Sequence, residues 1–333
     1  MAKNIKNNNR LKKILVTGGA GYIGSTVVRH LLCRGYDVHV LDNLIQGADG
    51  VNCFYGYSNY NFIKGDIRDQ KLVNEIVGKV DYVAHLAAIV GEYACKKNPD
   101  ETKSINVQGT KNIVQASLKN KIKRFIFFST CSSYGVQDIN IMANEETPLN
   151  PVSLYAETKI SMEEYLRKNF DSEIPYTIIR PSTVHGLSPR MRFDLIVNHF
   201  VKDAVLNSKL DIFGGSLWRP LMWVGEVGRA IDKILSADLK LINKQIFNLG
   251  NTKDNRKKSE IAEIIKTKFI PNLEIKYSGK DEDLRSYKVD FSKIEKTLDF
   301  KLEKTLEKAI EELIFSIKNK FFVDLDNLKF KNN

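Results

Sequence analysis

The chain has 333 residues, 43% of them hydrophobic, and a formal net charge of +11; that length fills one large domain or two modest ones sharing an interface. No run approaches the ~20 apolar residues of a membrane span, and the opening MAKNIKNNNRLK has no apolar signal core, so a cytoplasmic protein without a membrane partner is expected. The basic charge does not by itself argue for nucleic acid, because Lys3, Lys6, Arg10, Lys12 and Lys13 crowd an N-terminal stretch and the remainder is dispersed.

In chain order, KKILVTG reads as a buried strand, and Ile23 to Cys33 carries apolar residues at helical spacing. DVHVLD follows, then YNFIKGD with a helix near 69–78, DYVAHLAA, a helix near 101–119, RFIFFST, a helix at about 154–169, and YTIIRPS. Strands alternating with helices predict an α/β fold with a parallel sheet and right-handed crossovers. Beyond residue 186 the regularity fades through SPRMRFD and GGSLWRP to a Lys-rich helical part near 302–319. The expected organisation is a basic tail at 1–12, a first domain at 13–185 with parts of 220–250, an interleaved smaller lobe at 186–320, and a tail at 321–333.

Cys33, Cys53, Cys95 and Cys131 have no paired spacing, and His30, His39, His85, His185 and His199 have no ligand spacing. Free thiols, core or surface histidines and no metal are expected.

TGGAGYIG, residues 17–24, follows the first strand and opens a helix. Gly18, Gly21 and Gly24 are spaced for a tight turn, close backbone approach to a phosphate and tight helix packing, with the helix N-terminus facing a pyrophosphate. Asp42 ends the second strand 18 residues after Gly24. There a carboxylate accepts hydrogen bonds from a ribose 2′-hydroxyl and repels a 2′-phosphate, which favours NAD over NADP.

YAETK places Tyr155 and Lys159 one helical turn apart. Tyr60 with Lys64 and Tyr93 with Lys97 share that spacing, but only Tyr155 enters the helix that follows STCSSYG. A tyrosine acting as base must be brought from about 10 toward neutrality, a change worth ~4 kcal/mol, and a nearby ammonium works in that direction. Thr130 in STCSSYG is placed to donate to, or relay protons for, the same substrate oxygen; its ordinary alternative is to cap backbone at a strand end.

TGGAGYIG, Asp42, GDIRD, HLAA, INVQGT, STCSSYG, YAETK and RPSTVHG stand in the order seen in extended short-chain dehydrogenases/reductases, and the chain resembles their NAD-dependent nucleotide-sugar epimerase/dehydratase group over about residues 12–316. The resemblance implies a Rossmann domain, a doubly wound parallel sheet holding NAD, and a smaller C-terminal α/β lobe holding a nucleoside-diphosphate sugar. By position it implies Gly18, Gly21 and Gly24, with Tyr22 and Ile23, at the pyrophosphate, and Asp42 and Asn43 at the adenosine ribose. Asp66 and Ile67 fall at the adenine, and Leu86, Ala87, Ala88 and Pro181 along the cleft. Tyr155 is the implied base, Lys159 also binds the nicotinamide ribose, Thr130 is the third catalytic member, and Asn106 is structural. Arg219 and Arg285 correspond to arginines that contact the substrate diphosphate, where a planar fork suits a dianion. Arg190 and Arg192 in SPRMR are further candidates, and Thr183 completes the substrate set. A homodimer through the helices near 101–119 and 153–169 is also implied.

Two departures narrow the reaction. Dehydratases of this group carry acidic residues directly after the catalytic threonine, where Cys131 and Ser132 stand here. Neither is a general acid at neutral pH, so dehydration is disfavoured. Double epimerases place a cysteine two residues before the motif tyrosine, where this chain has Ser132 before Tyr134. A C4 epimerase acting through a 4-keto sugar is the expectation. Thr183 stands where an asparagine is usual, and SPRMRFD is not the usual sequence of a galactose epimerase, which opens the substrate question. A 4-dehydrogenase keeps the same catalytic set, a 4,6-dehydratase is the weaker enzyme alternative, and a nucleotide-sensing or RNA-binding Rossmann protein is the non-enzyme alternative.

Overall fold

The computed structural model describes residues 11–138, 140–170, 174–279 and 285–332. Lys3, Lys6 and Arg10 of the expected tail, and Asp283 and Leu284 beside Arg285, lie outside the described residues.

The strands are β1 Lys13–Thr17, β2 Asp37–Asp42, β3 Tyr60–Lys64, β4 Tyr82–His85, β5 Arg124–Phe128, β6 Met142–Ala143 and β7 Tyr176–Pro181, followed by β8 Thr183–His185, β9 Lys209–Phe213, β10 Trp218–Trp223, β11 Gln245–Leu249, β12 Asn255–Lys257, β13 Glu274–Ser278 and β14 Lys288–Val289. Seven of them form one sheet in the order β3, β2, β1, β4, β5, β7, β11, and every pairing in it is parallel. Parallel sheets are covered on both faces, and the residues show it. Ile14, Val16, Ile126 and Phe128 enter one core, and Leu15, Phe125 and Phe127 enter the other. Each such side chain contributes ~1.5–3 kcal/mol on burial.

Chain order reverses between β1 and β4, and a crevice opens there beyond the carboxyl ends of the strands. The ends of β1, β2, β4, β5 and β7 therefore decide what lines it. The smaller lobe is threaded through the first domain. β8 pairs with β10, β10 with β12, β9 with β13 and β6 with β14, while β11 returns to the edge of the large sheet.

The expected helix near 101–119 is Pro99–Lys103 and Thr110–Lys119 joined by a π-helical stretch, Ser104–Gly109. That stretch carries Asn106, whose side chain accepts from the Ile89 amide at 2.8 Å and donates to the Ile89 carbonyl at 3.0 Å. Both bonds hold the loop after β4, a structural role. Helix Leu154–Asn169 is capped by Ser153, which accepts from the Ala156 amide. The Lys-rich helix runs Leu306–Lys318. Residues 321–332 then fold back, with Phe330 buried against Phe193.

Candidate active site

The turn after β1 leaves no room for side chains at two glycines. Gly18 has φ +73°, and a Cβ there would lie 2.8 Å from Ala87 Cα. A Cβ on Gly24 would lie 2.0 Å from the Gly18 carbonyl oxygen. Gly21 is the N-cap of helix Tyr22–Cys33 and supplies no side-chain cap, so the first-turn amides suit an anion.

Asp42 closes the turn from the side. One carboxylate oxygen accepts from the Ala20 amide at 3.0 Å and the other from Leu44 at 2.8 Å. Burial raises its pKa, opposed by those two amides and by Arg190. Asn43 donates to Asp66 at 3.2 Å. Asp66 is held down at about 2, first by hydrogen bonds from the Arg68 guanidinium, and is therefore ionised.

A network that sequence patterns did not single out fixes the opposite wall. His85, at the end of β4, lies between Thr17 at 2.7 Å and Thr110 at 2.9 Å. The Thr110 hydroxyl donates to the Asn106 carbonyl at 2.7 Å, so Nε2 of His85 carries the proton and Nδ1 accepts from Thr17. Thr17 in turn accepts from the amides of Leu86 and Ala87, each at 3.2 Å. Burial, helped by Lys159, pushes His85 down to about 3 and keeps it neutral. The HLAA motif was the available signal.

Every residue expected at the cofactor, from Gly18, Gly21, Tyr22, Ile23 and Gly24 through Asp42, Asn43, Asp66, Ile67 and Leu86 to Ala88 to Tyr155, Lys159 and Pro181, lines one cleft. Tyr22 does so with its hydroxyl committed to the Gly186 carbonyl at 2.6 Å. Ser129 joins the wall unexpectedly, and its buried hydroxyl has no hydrogen-bond partner among the described residues.

At the expected catalytic end Thr130 faces Tyr155 and lowers its pKa, and Thr130 accepts from the Ser132 amide at 3.0 Å. Thr130 thus both caps backbone and meets the tyrosine. Burial raises the Tyr155 pKa, with Cys95 adding to it, while the Thr130 hydrogen bond, Arg285 and Arg192 pull the other way. Lys159, expected to favour the phenolate, donates to the Phe128 carbonyl at 2.8 Å, and burial lowers it to about 8. Arg192 and Arg285, from later in the chain, add positive charge near the phenol. The rival pairs stand elsewhere: Tyr60 and Lys64 span β3, and Tyr93 and Lys97 share the short helix Glu92–Lys97.

The substrate residues outside Thr130 are split. Arg192 lines the cleft and holds Asp194 at 2.9 and 2.7 Å. Arg285 donates to Ser132 at 2.9 Å and pairs with Glu92 at 2.9 Å. Buried Arg219 donates to the Arg285 carbonyl and to that of Trp218, which makes it a support for Arg285. Thr183 opens β8, opposite Leu221. Arg190 stands next to Arg192 and Asp194, and also donates to Gln46 and feels Asp42.

Beneath the site, Arg180 and Glu163 form a buried bidentate pair at 3.0 and 2.7 Å that joins β7 to helix Leu154–Asn169. Among the described residues no cluster of His, Cys, Asp or Glu could hold a metal, and no helix is long and apolar enough to cross a membrane.

A glycine cradle that any Cβ would fill, a carboxylate at the end of β2 and an unpartnered buried hydroxyl beside a Tyr/Lys pair fit a nicotinamide dinucleotide. Fold and site define an NAD-binding Rossmann enzyme of the short-chain dehydrogenase/reductase kind. Residues 14–250 match the NAD-dependent epimerase/dehydratase family, and the chain belongs to it. The UDP-glucose 4-epimerase of Lactobacillus helveticus is 32% identical over 80% of this chain and 84% of its own. The UDP-N-acetyl-alpha-D-glucosaminuronate decarboxylase of Bacillus cytotoxicus is 29% identical over 91% and 97%. The solved UDP-glucuronic acid 4-epimerase of Bacillus cereus, in complex with UDP-glucuronic acid and NAD, superposes with a TM-score of 0.81 at 27% identity, over 92% of this chain and 99% of that one.

Proposed function

We propose that the protein is a C4 epimerase of a nucleoside-diphosphate sugar, working through a 4-keto sugar. The observation that carries this reading is what surrounds the Tyr155–Thr130 pair. Cys131 is buried, its thiol donates to the Arg180 carbonyl at 3.1 Å, and burial pushes its pKa well above the ordinary value. Ser132 accepts from Arg285, and Glu92 is paired with the same arginine. Neither residue directly after Thr130 is thus a general acid suited to expelling a C6 hydroxyl.

NAD+, when bound, supplies the hydride acceptor and returns the hydride. Gly18, Gly21 and Gly24 would hold its pyrophosphate, Asp42 a ribose, and Lys159 the nicotinamide ribose. Tyr155 takes the proton from the C4 hydroxyl and later gives it back, with Thr130 holding the same oxygen. Arg219, Arg285, Arg192 and Thr183 orient the substrate. A homodimer through the helices spanning 99–119 and Leu154–Asn169 and a cytoplasmic location belong to the same proposal.

A second reading has its own observation. Arg192 lines the cleft and Arg285 donates to Ser132 beside Thr130, a surrounding that suits a sugar bearing a carboxylate. Oxidation of such a sugar at C4 makes a β-keto acid, which can lose carbon dioxide.

One experiment separates these outcomes: a proton NMR time course without added NAD, against UDP-, GDP-, CDP- and dTDP-sugars that include a uronate. New ring signals approaching an equilibrium ratio support the epimerase. A C6 methyl signal means dehydration, carbon dioxide from the uronate means decarboxylation, and stalled NADH absorbance means a 4-dehydrogenase; each of these overturns it.

A further inference from the structure

Residues 321–332 leave helix Leu306–Lys318 and return to the adenosine end of the cofactor cleft. Phe330 is buried in edge-to-face contact with Phe193 at 5.4 Å and Phe322 at 5.9 Å, and its carbonyl accepts from the Phe193 amide at 2.9 Å. Two ion pairs tie the segment down further, Lys202 with Asp326 at 2.5 Å and Lys329 with Asp49 at 3.7 Å. Asn332 then reaches the cleft wall itself.

Three pieces of chain meet there on a single guanidinium. Arg190 donates to the Asn332 side chain at 2.7 Å, to the Lys331 carbonyl at 2.9 Å and to Gln46 at 2.6 Å. Gln46 belongs to the loop that begins with Asp42 and Asn43, the expected ribose contacts. Arg190 is 2% exposed, lines the cleft, and its Nε has no hydrogen-bond partner among the described residues. The Asn332 amide also donates to Asp194 at 3.1 Å, the carboxylate that holds Arg192. A buried cation is costly unless its donors are matched. Removing the C-terminal segment would strip two of the three acceptors from Arg190.

We propose that Arg190, Gln46 and residues 323–332 form a latch across the adenosine end of the NAD cleft, and that its opening sets how fast the dinucleotide enters and leaves. The ligand is the cofactor, so the latch rests on NAD binding and not on the reaction catalysed at the other end. A latch of this kind lets the enzyme keep one dinucleotide through many turnovers. Loss of a direct contact speeds only departure, whereas loss of a latch speeds arrival as well.

The test is stopped-flow NADH fluorescence with the full-length protein, measuring association and displacement by excess NAD+. Arg190→Met and Asn332→Ala are both expected to raise the association and dissociation rates, by about tenfold for each charge-assisted hydrogen bond lost. Hydrogen exchange should also show residues 323–332 gaining protection when NADH binds. Faster dissociation with unchanged association makes Arg190 an ordinary ligand contact and overturns the latch. Unchanged rates in both variants at an unchanged melting temperature overturn it too. If Arg190→Met does not fold, Asn332→Ala and the exchange measurement decide, and absence of NADH-dependent protection at 323–332 counts against the proposal.

Discussion

The adenosine end of the cleft is built largely from main chain and short sequence motifs, whereas the catalytic end is assembled from side chains contributed by distant segments. Gly18, Gly24, Asp42 and Asp66 act through steric clearance and amide hydrogen bonds at the ends of the first three strands. Thr130, Tyr155, Arg192 and Arg285 come from four places in the chain and meet only when the smaller lobe packs onto the sheet. The first kind of site tolerates change around it but not within it. The second depends on whatever holds its parts in register.

The largest effect should fall on the assembled end. Tyr155→Phe removes the proton acceptor and should lower turnover by about 10³-fold, while the protein still purifies with its dinucleotide. Wild-type rates in that variant would sink the catalytic assignment, and loss of the cofactor would show that the two ends are not separable.

Glu163→Gln tests the register. It leaves the Arg180 guanidinium buried with a neutral partner where a bidentate carboxylate stood at 3.0 and 2.7 Å. Breaking a buried pair of this kind costs about 3–5 kcal/mol, read as a lower urea midpoint. Because the pair joins β7 to helix Leu154–Asn169, kcat should fall more than NAD content. An unchanged midpoint would mean that apolar packing alone places Tyr155.

Asp42→Asn probes the other end and should be milder. Removing the charge that faces a 2′-phosphate should strengthen NADP binding about tenfold relative to NAD, read as the ratio of dissociation constants. If the ratio does not move, Asp42 serves only to hold the Ala20 and Leu44 amides.

The smallest effect is on acid stability. His85 and His185 are held neutral by burial, each pushed from 6.5 down to about 3. The unfolded chain therefore binds more protons below 6.5, and stability present above that pH is lost as pH falls toward 3. Each histidine should cost about 1 kcal/mol between pH 6.5 and 5.5, and His85→Asn should flatten that slope in denaturant titrations.

The glycine turn, the acidic residue ending β2 and the alternation of strands and helices were legible because each is local: spacing along the chain equals position in space within one β-turn-α unit. The Tyr155 and Lys159 pair was legible for the same reason, since one helical turn aligns them. Lys159 shows the limit. Its spacing gave the shared helical turn, but not that its ammonium donates to the Phe128 carbonyl, nor that Arg192 and Arg285 also act on Tyr155. The His85 network and the role of Arg190 were illegible because their partners lie 25 to 144 residues away in sequence.

By itself, then, the sequence determined a parallel α/β fold, a glycine cradle and a Tyr/Lys pair on one helical face, all set by short-range geometry and hydrophobic period. Only tertiary structure decided that Arg219 donates to the Arg285 carbonyl, that Arg190 meets Gln46 and Asn332, and that residues 321–332 return to the cleft. Those outcomes depend on buried polar groups finding partners, and partners are chosen by how distant segments pack.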